Sequence, residues 1–140
     1  MAPVAAETGV REIDAGNEGL SYLLARVFDV GVECRRGRSG ACDFRECTKI
    51  SAILRYVGRH FAGQEAVMAE ADYPAGGEHS RDHAALVHGL AAMQDACVCA
   101  ERERSRVRAF IAEWHADHFV RCDRPLGRWA ITRRVLQPVR

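Results

Sequence analysis

His60-Phe61-Ala62-Gly63-Gln64-Glu65, then Tyr73-Pro74, then Glu78-His79-Ser80-Arg81-Asp82-His83, then Trp114-His115-Ala116-Asp117-His118 and finally Asp123 form the stretch on which the fold turns. His60 follows Val57 and Ile53 at a spacing of three to four. His79 and His83 lead into Leu86 and Leu90, and His118 follows Trp114 and Ile111. Each of these imidazoles therefore lies on the apolar stripe of an amphipathic helix, the stripe that turns toward a core. Several inward imidazoles in one small domain call for something to gather them, and a metal ion does so.

Working outward from that stretch, the period stays at three to four and no segment alternates as a strand would. A first helix is predicted from about Asn17 to Glu33 on Leu20, Leu23, Leu24, Val27 and Val30. A turn follows at Gly37-Arg38-Ser39-Gly40. Asp43 and Glu46 form a capping box for a second helix carrying Cys47, Ile50, Ile53, Leu54, Val57, His60, Phe61, Gln64 and Met68. Tyr73-Pro74 and Gly76-Gly77 stop it. The third helix starts near Glu78 with His79, His83, Leu86, Leu90 and Met93 inward. The fourth carries Val107, Phe110, Ile111, Trp114, His118 and Cys122, and Asp123 with Pro125-Leu126-Gly127 is expected to end it. The expected architecture is an all-α, up-down-up-down four-helix bundle in a single domain. Residues 1–15 would be an N-terminal arm, about 17–122 the bundle, and 123–140 a tail with a short helix from Trp129 to Leu136.

At 140 residues and 48% hydrophobic, the chain is long enough for one buried core. Its formal net charge is +1, without the concentrated basic face that phosphate binding needs, so nucleic acid is not expected as a partner. The arginines at 35, 36 and 38 and at 102, 104, 106 and 108 read as a solvated loop and a solvated helix face. No apolar run is long enough to span a membrane, and residues 1–9 lack a cationic segment followed by an apolar one, so a cytoplasmic location is expected. Cys34, Cys42, Cys47, Cys97, Cys99 and Cys122 form no CxxC pair, which excludes zinc-ribbon and thioredoxin readings.

The candidate ligands are His79, His83, His118 and Asp123, with His60 as a fourth inward imidazole. His79 and His83, four apart, project from one helix face. Asp123, five residues beyond His118, needs a relaxed backbone to turn its carboxylate inward. A buried, isolated carboxylate is costly, and a cation removes that cost. Three imidazoles and a carboxylate make a complete donor set for Fe(II), Zn(II) or Mn(II). His88 and His115 fall off the site face and read as surface or flanking residues. Paired Glu-x-x-His motifs are absent and no acid–base constellation stands out, so the chain is not read as an enzyme.

Taken together, His60-Phe61, Gln64-Glu65, Met68, Tyr73-Pro74, His79, His83, Trp114, His118 and Asp123 resemble the bacterial hemerythrin pattern. Ile13-Asp14-Ala15-Gly16-Asn17-Glu18-Gly19-Leu20 resembles its opening motif, IDxQHxxL, and the resemblance covers roughly residues 11–127. It implies a four-helix bundle with a non-haem di-iron centre that binds dioxygen reversibly. One iron would take His79, His83 and His118. The other, where dioxygen binds, would take His60 and a first-helix His. Asp123 and a Glu four residues after His60 would bridge the two. This chain has Asn17 at the first-helix His position and Gln64 at the bridging Glu position. Two dications 3.5–4 Å apart repel by roughly 17–19 kcal/mol at an effective dielectric of about 20, and only one bridging carboxylate remains to offset it. The expectation is a hemerythrin-like iron protein that binds, carries or senses dioxygen or nitric oxide at a degenerate di-iron site. Its three-histidine position would be filled and its second weak or empty. The alternative is a mononuclear metal-binding sensor or structural bundle that no longer binds dioxygen. Oligomeric state is not legible in the sequence.

Overall fold

The computed structural model describes residues 7–27, 48–94, 98 and 101–136. These are all helical apart from short connections. Helix α1 is Arg11–Val27, α2 is Thr48–Glu70, α3 is Gly76–Ala92, α4 is Glu101–His118 and α5 is Arg124–Leu136, with a π-helical turn, Phe119–Asp123, joining the last two. Among the described residues there is no strand, and no helix is long and apolar enough to cross a membrane. The capping box at Asp43 and Glu46, the turn at 37–40, the first-helix stripe beyond residue 27 and all cysteines but Cys122 lie outside the described residues.

α2 packs against α1 and α3, and α3 against α4. The main core joins Leu20 of α1, Ile50, Ile53, Val57 and Phe61 of α2, Leu86 and Leu90 of α3, and Val107 and Ile111 of α4. These are the stripes that the three-to-four period marks in the sequence. A second core, Val10, Ile13, Val67, Met68, Ala71, Leu126 and Ala130, closes the opposite end. The polar side chains Asn17, His60, Gln64, His79, His83, His118 and Asp123 are all buried.

Three boundaries differ from the sequence reading. α1 starts at Arg11, not near Asn17, so residues 11–15 are helix rather than arm. The cause is local: the Asp14 carboxylate accepts hydrogen bonds from the backbone N–H of Thr8 (2.7 Å) and Gly9 (3.0 Å) and from the Thr8 hydroxyl (2.7 Å). An acid in the first turn thus binds the chain that precedes it and complements the helix N-terminus. Pro125-Leu126-Gly127 does not end the fourth helical segment. The π turn widens the helix, with Arg124 N–H bonded to the Phe119 carbonyl. Pro125 then falls in the first turn of α5, where a missing N–H is tolerated. Gly127 marks a close approach, since a Cβ there would come within 2.7 Å of Thr8 Cβ and 2.9 Å of its carbonyl oxygen. α5 is consequently a full helix from Arg124, and its Trp129 indole N–H donates to the Ala71 carbonyl at 2.6 Å, tying it to the end of α2.

The stop at Tyr73-Pro74 is where the sequence puts it, but its mechanism is a Schellman motif one step earlier. Tyr73 N–H reaches the Met68 carbonyl (3.0 Å), Asp72 N–H reaches that of Ala69 (3.3 Å), and Asp72 takes a left-handed φ of 51°. Tyr73 then packs on the cluster containing Val67 and Met68.

Gly16 sets how closely α1 approaches α2. A Cβ at this position would fall inside the His60 ring, and the Tyr56 hydroxyl donates to the Gly16 carbonyl at 2.8 Å. Gly16→Ala should therefore lower stability by about 1–3 kcal/mol, the usual cost of forcing a methyl into packed space. Urea denaturation followed by circular dichroism measures it, and an unchanged midpoint would show that the approach of α1 is not set here.

Candidate metal centre

Four donors meet in the interior: one nitrogen each of His79 and His83 from α3, one of His118 from the last turn of α4, and a carboxylate oxygen of Asp123 from the π turn. Their ligating atoms all lie within 4.8 Å of one another, and all four residues are buried. The π turn puts Asp123 in place. In an α-helix a residue five positions on is rotated well away, whereas one π turn brings positions i and i+5 to the same face. Asp123 Oδ1 sits 2.9 Å from His118 Nε2 and 3.3 Å from His79 Nε2.

The His118 contact is informative. Its other nitrogen, Nδ1, lies 2.6 Å from Asp82 Oδ2, so the ring donates there and Nε2 carries a lone pair in the neutral imidazole. Nε2 and Asp123 Oδ1 are then two acceptors side by side, and neither has an aligned hydrogen-bond partner among the described residues. Two buried lone pairs facing one space repel unless a cation occupies it. The site chemistry therefore fits a metal ion, with His79, His83, His118 and Asp123 as its donors.

The electrostatics agree. Burial, with His79 adding to it, lowers the pKa of His83 to about 2, so its lone pair stays free for a metal. Burial likewise lowers that of His60 to about 4, against the opposing pull of Asp123. Burial by itself would raise the Asp123 pKa, but the groups around it, among them the Asn17 amide that donates to Oδ2, hold it well below the usual carboxylate range, so it is ionised. Phe61 stacks on His83 (ring centroids 3.9 Å, 3° apart in plane) and Trp114 on His118 (4.3 Å, 14°), shielding the rings on their apolar faces.

His60 does not join the four-donor group. Its Nε2 lies 2.9 Å from Asn17 Oδ1 and 3.2 Å from Gln64 Nε2. Asn17 Nδ2 in turn donates to Asp123 Oδ2 at 3.2 Å. The two residues that depart from the hemerythrin pattern thus link His60 to the donor cluster. Glu65 is half-exposed and approaches His83 from behind, 3.8 Å from its Nδ1. His88 is exposed, and His115 is half-buried with its pKa lowered by burial. Cys122 is buried next to Asp82, with Sγ 3.8 Å from Oδ2, and burial together with that carboxylate raises its pKa to about 11, which keeps the thiol protonated.

Asp82 is the site residue that the sequence reading missed. It orients His118 and is itself held by Arg121, whose Nη2 donates to Oδ1 at 2.7 Å. Burial alone would raise its pKa, but Arg121 and His118 keep it below the ordinary value. A carboxylate behind a metal-binding imidazole fixes the tautomer and strengthens the ligand. The signal in sequence was an acid directly before His83, but pairing it with His118 requires the packing of α3 on α4.

No protein-family model matches the chain, and comparison with curated proteins and with solved structures returns no match. What the site can do follows from its own geometry.

Two outcomes follow. Asp82→Asn should weaken metal binding by about 10–100-fold while leaving the fold intact, as read by chelator competition and circular dichroism; undiminished affinity would remove Asp82 from the site. In protein stripped of metal, stability should fall as pH drops from about 6.5 toward 4. The unfolded histidines take up protons near 6.5, while buried His60 and His83 refuse them down to about 4 and about 2. Unfolding is then favoured by about 1.4 kcal/mol per pH unit for each ring across that interval. Urea midpoints measured from pH 7 to pH 4 read the effect, and a flat profile would show that the rings are solvated.

Proposed function

We propose that the protein is a hemerythrin-like non-haem iron protein that holds one ion on His79, His83, His118 and Asp123 and binds dioxygen or nitric oxide there. The observation that carries the metal is the pair of unpartnered acceptors, His118 Nε2 and Asp123 Oδ1, 2.9 Å apart in the interior. The hemerythrin-like pattern of residues supports iron and a diatomic ligand. Iron held by these residues would supply a redox-active Lewis acid. Burial keeps His83 neutral, and the Asp123 carboxylate is ionised. Phe61 and Trp114 cover the rings, and Asp82 holds His118 in the tautomer that presents Nε2.

One ion rather than two is favoured by the hydrogen bonding of the other half. Asn17, His60 and Gln64 are engaged with one another and with the donor residues. A second dication beside them would meet two neutral amides in place of an imidazole and a carboxylate. A second reading, a purely structural metal clamp, is favoured by the positions of the donors, because an ion on them ties α3 to the end of α4.

Metal analysis of purified protein should find about one iron per chain, and His79→Ala should abolish tight binding. The ultraviolet–visible spectrum of the iron-loaded protein should change on admitting air or nitric oxide. An unchanged spectrum together with a large metal-dependent rise in Tm would favour the clamp. Asn17→His combined with Gln64→Glu should raise the stoichiometry toward two. If it stays at one, the two substituted positions are not what removes the second ion.

A further inference from the structure

We propose that Gln64 supplies a fifth donor, its amide oxygen, to the same ion, and that Asn17 serves to orient Asp123 rather than to hold metal; this rests on the metal site proposed above. Gln64 is buried, and its Oε1 lies 2.8 Å from Nε2 of His79 and 2.8 Å from Nε2 of His83.

Hydrogen bonds alone leave this corner unsatisfied. For Oε1 to accept from both rings, each Nε2 would have to carry the proton. His79 Nε2 would then have to divide one proton between Gln64 and Asp123 Oδ1 at 3.3 Å. If instead Nε2 of all three rings, Asp123 Oδ1 and Gln64 Oε1 are lone-pair donors, one cation satisfies the five together.

The separations give the coordination geometry. With metal–ligand bonds of about 2.1 Å, neighbouring donors stand about 3.0 Å apart in an octahedron and about 3.4 Å apart in a tetrahedron. Four of the seven separations that involve the two oxygen donors are 2.8, 2.8, 2.9 and 3.3 Å. They match the edges of an octahedron better than those of a tetrahedron. Five protein donors then leave one position for a small ligand, a geometry that suits iron or manganese and not the closed tetrahedron of structural zinc.

Asn17 Nδ2 donates to Asp123 Oδ2 at 3.2 Å, which leaves Asn17 Oδ1 to accept, at 2.9 Å, the one proton that His60 Nε2 can carry. Asn17 thus holds the outer oxygen of Asp123, and the inner oxygens, Gln64 Oε1 and Asp123 Oδ1, face the donor rings.

Co(II) is a suitable probe. In crystals of the full chain loaded with Co(II), the anomalous peak should lie about 2.1–2.3 Å from Gln64 Oε1 as well as from the three imidazoles and Asp123. In solution, Gln64→Met, of similar length but a poor donor for this ion, should bind Co(II) about tenfold more weakly, with an unchanged circular dichroism spectrum. Gln64→Glu, which keeps the oxygen, should bind at least as tightly as the parent. A Co(II) ion on the four residues but more than 3 Å from Oε1, or undiminished affinity in Gln64→Met, overturns the fifth donor and leaves the metal site standing. Failure of the parent protein to bind Co(II) on those residues overturns both.

Discussion

A carboxylate at zero exposure governs the interior of this protein. Asp123 is ionised and surrounded by imidazoles. An unpaired charge in that position would cost several kcal/mol even after relaxation. Its Oδ2 has a donor in Asn17, but its Oδ1 faces His118 Nε2 and His79 Nε2, atoms that can all present lone pairs. The helices around it are arranged to serve this arrangement. The π turn exists at Asp123 and nowhere else among the described residues, and it turns the carboxylate inward where a regular helix would carry it toward solvent. Pro125 and α5 follow from that widened turn, and α5 then covers the end of α2 through Trp129. One local departure from α geometry thus positions the Asp123 carboxylate and determines how the chain continues.

The rest of the site is built in shells of increasing exposure around that point. The donors are buried outright, and aromatic rings cover His83 and His118. Asp82, partly exposed, steers His118, and exposed Arg121 holds Asp82 while also pairing with Asp117 at 3.0 Å. The pair Arg121–Asp117 lies at the surface and contributes little to stability. Its value is geometric, since it limits where Asp82 can sit and hence which nitrogen of His118 is free. A charge on the surface is in this way connected to the orientation of an imidazole in the core through two hydrogen bonds.

Much of this was legible in the residues themselves, for a physical reason. Burial of apolar side chains imposes the helical period, so Leu20, Ile53, Val57, Leu86, Leu90, Val107 and Ile111 mark their core faces without any knowledge of packing. The same period places His79, His83 and His118 among them, and the four-donor group is the one the spacing suggests. Boundaries were harder. Asp14 starts α1 early by binding Thr8 and Gly9, a contact between a side chain and backbone that leaves no periodic trace. Pro125 and Gly127 carry the residue types of a helix stop, yet one sits in a first turn and the other under Thr8. Asp82 was illegible because its partner is 36 residues away. Local pattern specifies faces, whereas tautomers and hydrogen-bond partners depend on how the faces meet.

The departures at Asn17 and Gln64 take on a different meaning in three dimensions. Read as a sequence, they are losses, since an amide replaces an imidazole and another replaces a carboxylate. In the folded chain both are buried and neither is idle. Asn17 accepts from His60 on one side and donates to Asp123 on the other, and Gln64 faces two histidines with its oxygen. An amide has both a donor and an acceptor end, which an imidazole lone pair or a carboxylate bridging two cations does not offer. Asn17 and His60 can therefore be hydrogen-bonded in space that would otherwise require a second charge. Removing one anion and one imidazole lowers the demand for a second cation, and Asn17 satisfies buried groups that the cation would have met. The buried Asp123 carboxylate with the imidazoles around it could hold a metal ion, whereas the amides beside them bring no charge that would call for another.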